Sequence, residues 1–141
     1  MFYDDLKLEG SLIITLNDDV VAEVPNLVVT AGKNFVASRM GGTGAAVMSH
    51  IAIGTSTTAA GAAQTALVTQ NAIVALTSAT VTTNAIAYVA TFGAGTGEGA
   101  ITEAGTFNAA SSGTMLCRTV FAVVNKGSAD SMTITWTVTV S

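Results

Sequence analysis

Met132-Thr-Ile-Thr-Trp-Thr-Val-Thr-Val140 decides the fold. Met132, Ile134, Trp136, Val138 and Val140 hold one parity and four threonines hold the other. A period of two places the first set on one face of a strand and the second on the opposite face. β-branched and aromatic side chains suit such a half-buried, pleated surface. This segment is therefore expected to be a strand with an apolar side against a core and a hydroxyl side away from it.

The same period recurs at the other end of the chain. Leu6, Leu8, Leu12, Ile14 and Leu16 alternate with Lys7, Glu9, Ser11 and Thr15. Asn17-Asp18-Asp19 supplies a turn, and Val20 to Val24 returns as a strand ending near Pro25, which has no N–H for a ladder. Further strands are expected around Val47, Ile51 and Ile53, at 73–77, 80–82 and 86–92, and on either side of Asn108–Gly113, read as a hairpin connection. A Gly/Ala/Thr/Ser-rich loop spans 54–64, with one helical turn at 65–70. The four glycines from Gly93 to Gly99 demand another loop, because each makes regular structure entropically costly.

One short helix is expected at 30–40, with Thr30 as its cap, Phe35, Val36 and Met40 near helical spacing, and Gly41-Gly42 as its stop. About eight short strands and one helix indicate an all-β fold, an antiparallel β-sandwich of jelly-roll type. The 141 residues suit a single domain, 1–141, and no repeat, charge run or Pro-rich linker marks a second. Expected core residues are Leu12, Ile14, Phe92, Phe107, Ile134, Trp136 and Val138.

Only 10% of residues are charged against 50% hydrophobic. Typical soluble domains carry about 25% charged residues. Fourteen Asp, Glu, Lys and Arg residues cannot furnish an ordinary charged surface, so a Thr/Ser/Ala skin covered in part by neighbouring molecules is expected. No run approaches the roughly 20 apolar residues of a spanning helix. The acidic start, Met1 to Glu9, lacks the form of a signal peptide, so synthesis from Met1 in a cytoplasm is expected. Net charge −4 argues against phosphate-backbone binding. The lone Cys117 excludes an internal disulfide.

Chemistry-bearing constellations are sparse. His50 is the sole histidine, so neither a His pair nor a His metal cluster can form, and its Met-Ser-His-Ile context reads as strand. Cys117 shares parity with Met115 and Thr119 and reads as a small buried hydrophobe. The 93–99 loop lacks the Lys-Ser/Thr of a P-loop and leads into a strand rather than a helix. Asp4-Asp5 and Asp18-Asp19 lack the alternate spacing of a calcium loop. No catalytic, cofactor-binding or metal-binding residue is assigned, and no enzymatic activity or cofactor is expected. Glu103, set in an apolar strand, is expected to form a structural ion pair with Arg118 across the hairpin.

Asn26-Leu-Val-Val-Thr-Ala-Gly-Lys-Asn-Phe-Val-Ala-Ser-Arg-Met40, Ile53-Gly-Thr-Ser-Thr-Thr-Ala59 and Gly97-Glu-Gly-Ala-Ile-Thr-Glu-Ala-Gly-Thr-Phe-Asn108 resemble small structural proteins of tailed bacteriophages. The closing Phe121-Ala-Val-Val-Asn-Lys-Gly-Ser-Ala-Asp-Ser-Met-Thr-Ile-Thr-Trp136 is similar to the same group. The resemblance covers most of the chain after residue 25. It implies a virion protein, a capsid decoration or cement subunit that stabilises the major capsid protein shell. The Ile-Thr-Glu-Ala-Gly-Thr-Phe-Asn piece also resembles tail-fibre attachment modules, which makes a tail, neck or tail-fibre attachment protein the alternative. The implied partners are the major capsid protein or other virion proteins and further copies of the chain, as a dimer or trimer. Residues 1–5 are the candidate N-terminal arm, with Phe2 and Tyr3 as interface anchors, since aromatics dominate interface energetics.

Overall fold

The computed structural model describes residues 6–141; Phe2, Tyr3 and the rest of the candidate arm lie outside the described residues. Ten strands and one helix follow in the order β1 (Leu8–Leu16), β2 (Asp19–Pro25), β3 (Leu27–Val28), α1 (Thr30–Met40), β4 (His50–Gly54), β5 (Gln70–Ala75), β6 (Ser78–Thr82), β7 (Ala85–Phe92), β8 (Gly99–Phe107), β9 (Met115–Lys126) and β10 (Met132–Val140). They build two five-stranded sheets, β2-β1-β10-β7-β6 (sheet A) and β3-β9-β8-β4-β5 (sheet B). Every strand pairing is antiparallel.

β10 occupies the centre of sheet A because its apolar parity finds apolar partners on both sides. Trp136 lies opposite Leu12 of β1 and Tyr88 of β7, and Ile134 opposite Ile14 and Ala90. These side chains meet Ile51 and Ile53 of β4, Ile101 of β8 and Phe121 of β9 from the other sheet. One core thus sits between the layers, and the fold is an all-β sandwich. Leu12, Ile14, Phe92, Ile134, Trp136 and Val138 belong to it. Phe107 is also buried, but in a smaller cluster with Val29, Ala52, Leu67 and Met115.

The jelly-roll form does not follow from this strand order. β1 and β2, β4 and β5, β6 and β7, and β8 and β9 are neighbours within a sheet, whereas a jelly roll passes repeatedly between its sheets. Asn17 (φ 51°) and Asp18 (φ 70°) close the β1–β2 hairpin, as the mirror-image turn favoured between twisted strands requires.

The helix falls at 30–40, but Thr30 does not cap it. Val29 holds the cap position without a side-chain hydrogen bond, while the Thr30 N–H donates to Ala62 O at 2.8 Å. A Cβ at Gly32 would collide with the Leu116 backbone, so glycine lets α1 lie directly on β9. The helical turn expected at 65–70 is absent: residues 65–69 are irregular and Gln70 opens β5.

Candidate interaction surface

The two sheets present very different outer faces. On sheet B, β4, β8 and β9 turn Ala52, Glu103, Gly105, Phe107 and Arg118 away from the main core, yet all are buried. The cover is Ala31 at the start of α1 and the long connection 55–69, which contributes Leu67. Glu103 holds this connection in place. Its carboxylate accepts hydrogen bonds from the N–H groups of Ser56 (3.0 Å), Val68 (2.9 Å) and Thr69 (2.8 Å).

Arg118 completes the clamp. It stands opposite Gly105 in the β8–β9 register, on the same face as Glu103 two residues away. Its Nε and Nη2 donate to Glu103 Oε1 at 3.2 and 2.9 Å, and Nη1 donates to Gln64 Oε1 at 3.0 Å. Both charged side chains are fully buried. Burial alone would raise the Glu103 pKa, but the bonds from Thr69, Arg118, Val68 and Ser56 outweigh it and hold the carboxyl below its ordinary value. The structure therefore brings together the two residues singled out in the sequence. It adds Gln64 and three backbone donors that local pattern could not supply.

Sheet A is bare among the described residues. Thr133, Thr135, Thr137 and Thr139 of β10 point outward at its centre, none of them buried. Register carries the pattern across the layer. Thr135 lies between Ile13 and Val89, Thr137 between Ser11 and Ala87, and Thr133 between Thr15 and Thr91. The hydroxyls of Thr91 and Thr133 are 2.9 Å apart. The ionisable residues in these paired rows are Glu9 and Glu23, both on the β1–β2 side, leaving the centre uncharged. Such a face can bind by contact. It loses few strong water interactions and little side-chain entropy when covered.

A second apolar feature opens at one end of the sandwich, where α1 leaves the core incompletely closed. Leu8, Phe35, Val36, Met40, Tyr88 and Val138 help to line a groove of about 330 Å³, with Met40 and Val47 exposed at its rim. Arg39, its basic residue, donates from Nη1 to Ala45 O.

The other singled-out groups lie apart. His50 opens β4, half-buried, with Nδ1 2.7 Å from the Ser49 hydroxyl oxygen. Cys117 is buried in the core, and burial pushes its thiol up to about 12, so the nucleophilic thiolate is scarce at neutral pH. The glycine loop runs from β7 directly into β8, with Gly95 and Gly97 at positive φ, and Lys126 Nζ donates to Gly93 O at its base. Among the described residues no three His, Cys, Asp or Glu side chains gather as a metal site, and no helix is long and apolar enough to cross a membrane. Comparison with protein-family models, with curated proteins and with solved structures finds no match to the chain.

Proposed function

We propose that this chain is a non-enzymatic virion structural protein, a decoration or cement subunit that stabilises a major capsid protein shell. The carrying observation is the contrast between the sheets: one outer face is sealed by its own connection, while the other is left open, broad and nearly free of charge. A protein that acts by covering a neighbour needs such a face and no reactive group. The Thr/Ala composition lowers the cost of desolvating it, and repetition over a lattice multiplies weak contacts. The resemblance of four segments to phage structural proteins supports the particle as the setting. On this reading the chain is made in the host cytoplasm, works in the virion as a homo-oligomer, and needs neither nucleic acid nor membrane.

Copy number in purified intact particles tests the reading. Quantitative mass spectrometry should count hundreds of copies per particle, released together with a fall in shell stability. A few to dozens would favour the tail, neck or fibre-attachment role instead. Absence from purified particles would overturn both.

A further inference from the structure

The four edges of the two sheets are not equally protected. Edge strands invite pairing with other chains, and proteins blunt them with charges, prolines, bulges, short length or a covering loop. β2 carries Asp19, Glu23 and Pro25 and has a register shift against β1. β3 is two residues long. β5 lies against the glycine loop: Asn71 Nδ2 donates to Glu98 O at 2.7 Å, and a Cβ at Gly97 would stand 3.4 Å from Ala72 Cβ. Among the described residues, β6, Ser78-Ala-Thr-Val-Thr82, has none of these defences. Its register with β7 is regular, it holds no ionisable group or proline, and all five residues are exposed.

β6 also overhangs the core. Ala79 and Val81 lie opposite Tyr88 and Ile86, on the inward side of sheet A, yet Val81 remains 69% exposed. A β-branched apolar residue on an inward face but uncovered indicates a missing neighbour. We infer that β6 is the edge through which two copies of this chain pair, antiparallel about a two-fold axis at Thr80. In that arrangement Thr80 faces Thr80, and Ala79 of each copy packs beside Val81 of the other. The two five-stranded A sheets become one ten-stranded sheet.

The partner is argued from self-complementarity. A two-fold axis matches the free N–H and C=O groups of one edge to those of its copy, and an uncharged strand meets itself without repulsion. The small methyl of Ala79 leaves room for the branched Val81 facing it. A five-residue pairing is below the roughly 1,000 Å² of a stable interface, so association should depend on concentration. This inference deepens the self-association in the proposed function but does not depend on the particle.

Disulfide trapping tests it on the purified chain. Opposed Cα atoms in an antiparallel pair stand about 4.5 or 5.5 Å apart, both within the disulfide range of about 4.4–6.8 Å. Thr80→Cys should therefore oxidise to a covalent dimer in most of the protein. Ala79→Cys, which would face Val81, and Val21→Cys on β2 should each cross-link at least about tenfold more slowly, a difference of the size expected when geometry excludes the bond. Cys117 is buried and supplies no competing thiol. Val81→Lys, at an exposed site that leaves the fold intact by circular dichroism, should give a monomer by analytical ultracentrifugation where the unaltered chain dimerises. The inference is overturned if the unaltered chain is monomeric at about 1 mM, if Val81→Lys dimerises equally well, or if the three cysteine variants cross-link at one rate.

Discussion

Arg118 Nη2 lies 2.9 Å from Glu103 Oε1, with both side chains sealed from water. A buried pair of this kind is often no more stable than apolar residues of the same volume, whereas breaking it leaves an uncompensated charge at a cost of about 3–5 kcal/mol. Here the two partners are unequal. Glu103 also satisfies three backbone N–H groups of the 55–69 connection, whereas Arg118 adds a single bond to Gln64. Glu103→Leu should therefore cost at least about 5 kcal/mol, since each stranded donor adds about 1–3 kcal/mol. Arg118→Met should cost about 3 kcal/mol, because the carboxylate keeps its backbone donors. Urea unfolding checks the order, and a costlier Arg118 variant would show that the guanidinium is the principal anchor.

The same carboxylate makes stability depend on pH. Its folded pKa lies below its unfolded value, so its contribution is complete above the unfolded carboxylate value of about 4.3 and is lost as pH falls through the lower folded value. Asp130, held down by hydrogen bonds from Asn17 and Gly127, acts in the same direction from the surface. The urea midpoint should stay level from pH 7 to 5 and then fall. In Glu103→Gln the fall should be shallower, leaving the part that belongs to Asp130. An unchanged slope would remove Glu103 from the account.

Trp136 is fully buried, and its Nε1 donates to Asn26 Oδ1 at 2.6 Å. Gly10 makes room for that amide, since a Cβ there would collide with the Asn26 side chain. Trp136→Ala should cost about 3–5 kcal/mol, in line with other buried aromatic truncations. Gly10→Ala should also destabilise, through displacement of Asn26. Native tryptophan emission should be blue-shifted relative to the unfolded chain. A water-like native maximum would contradict the buried placement.

Strand parity made much of this legible. β10 and β1 alternate cleanly, so their core residues and the outward threonines could be read directly, and the same parity put Glu103 and Arg118 on one face of a hairpin. What escaped depends on distant partners. Residues 65–69 resemble a helical turn locally, but the N–H groups of Val68 and Thr69 are taken by Glu103, 35 and 34 residues away. Thr30 looks like a cap until Ala62 O takes its N–H. Asn26 and Trp136 are separated by 110 residues. The bare outer face of sheet A was legible as a row of threonines. That sheet B would be the covered one was not, because the path of a Gly/Ala/Thr/Ser-rich loop leaves no local periodicity.

Cys117 should be silent to thiol reagents in the native protein. Its thiol is buried, with a pKa of about 12, and reaction requires both thiolate and access. Labelling at pH 8 should appear only as the chain unfolds and should follow the urea transition. Stoichiometric labelling of the folded protein would show that the core opens locally around β9.

The proposed contact face makes the sharpest demand on the functional reading. Thr135 sits at the middle strand of sheet A, flanked by Ile13 and Val89, with Glu23 beyond Ile13 in the same row, two strands or about 10 Å away. Thr135→Lys places an ammonium there. On the free protein the long side chain can reach water, so stability should change by no more than about 0.5 kcal/mol. Against a partner that covers the face, the ammonium must be desolvated at a cost of several kcal/mol, of which Glu23 at the edge strand offsets only a part. At 1.4 kcal/mol per decade, particle binding should weaken at least about tenfold. Val123→Lys on β9, exposed on the other sheet, should bind as the unaltered chain does. Co-sedimentation of both variants with particles lacking this protein reads the difference. Equal binding would move the contact away from the threonine face, and loss in Val123→Lys alone would assign it to sheet B.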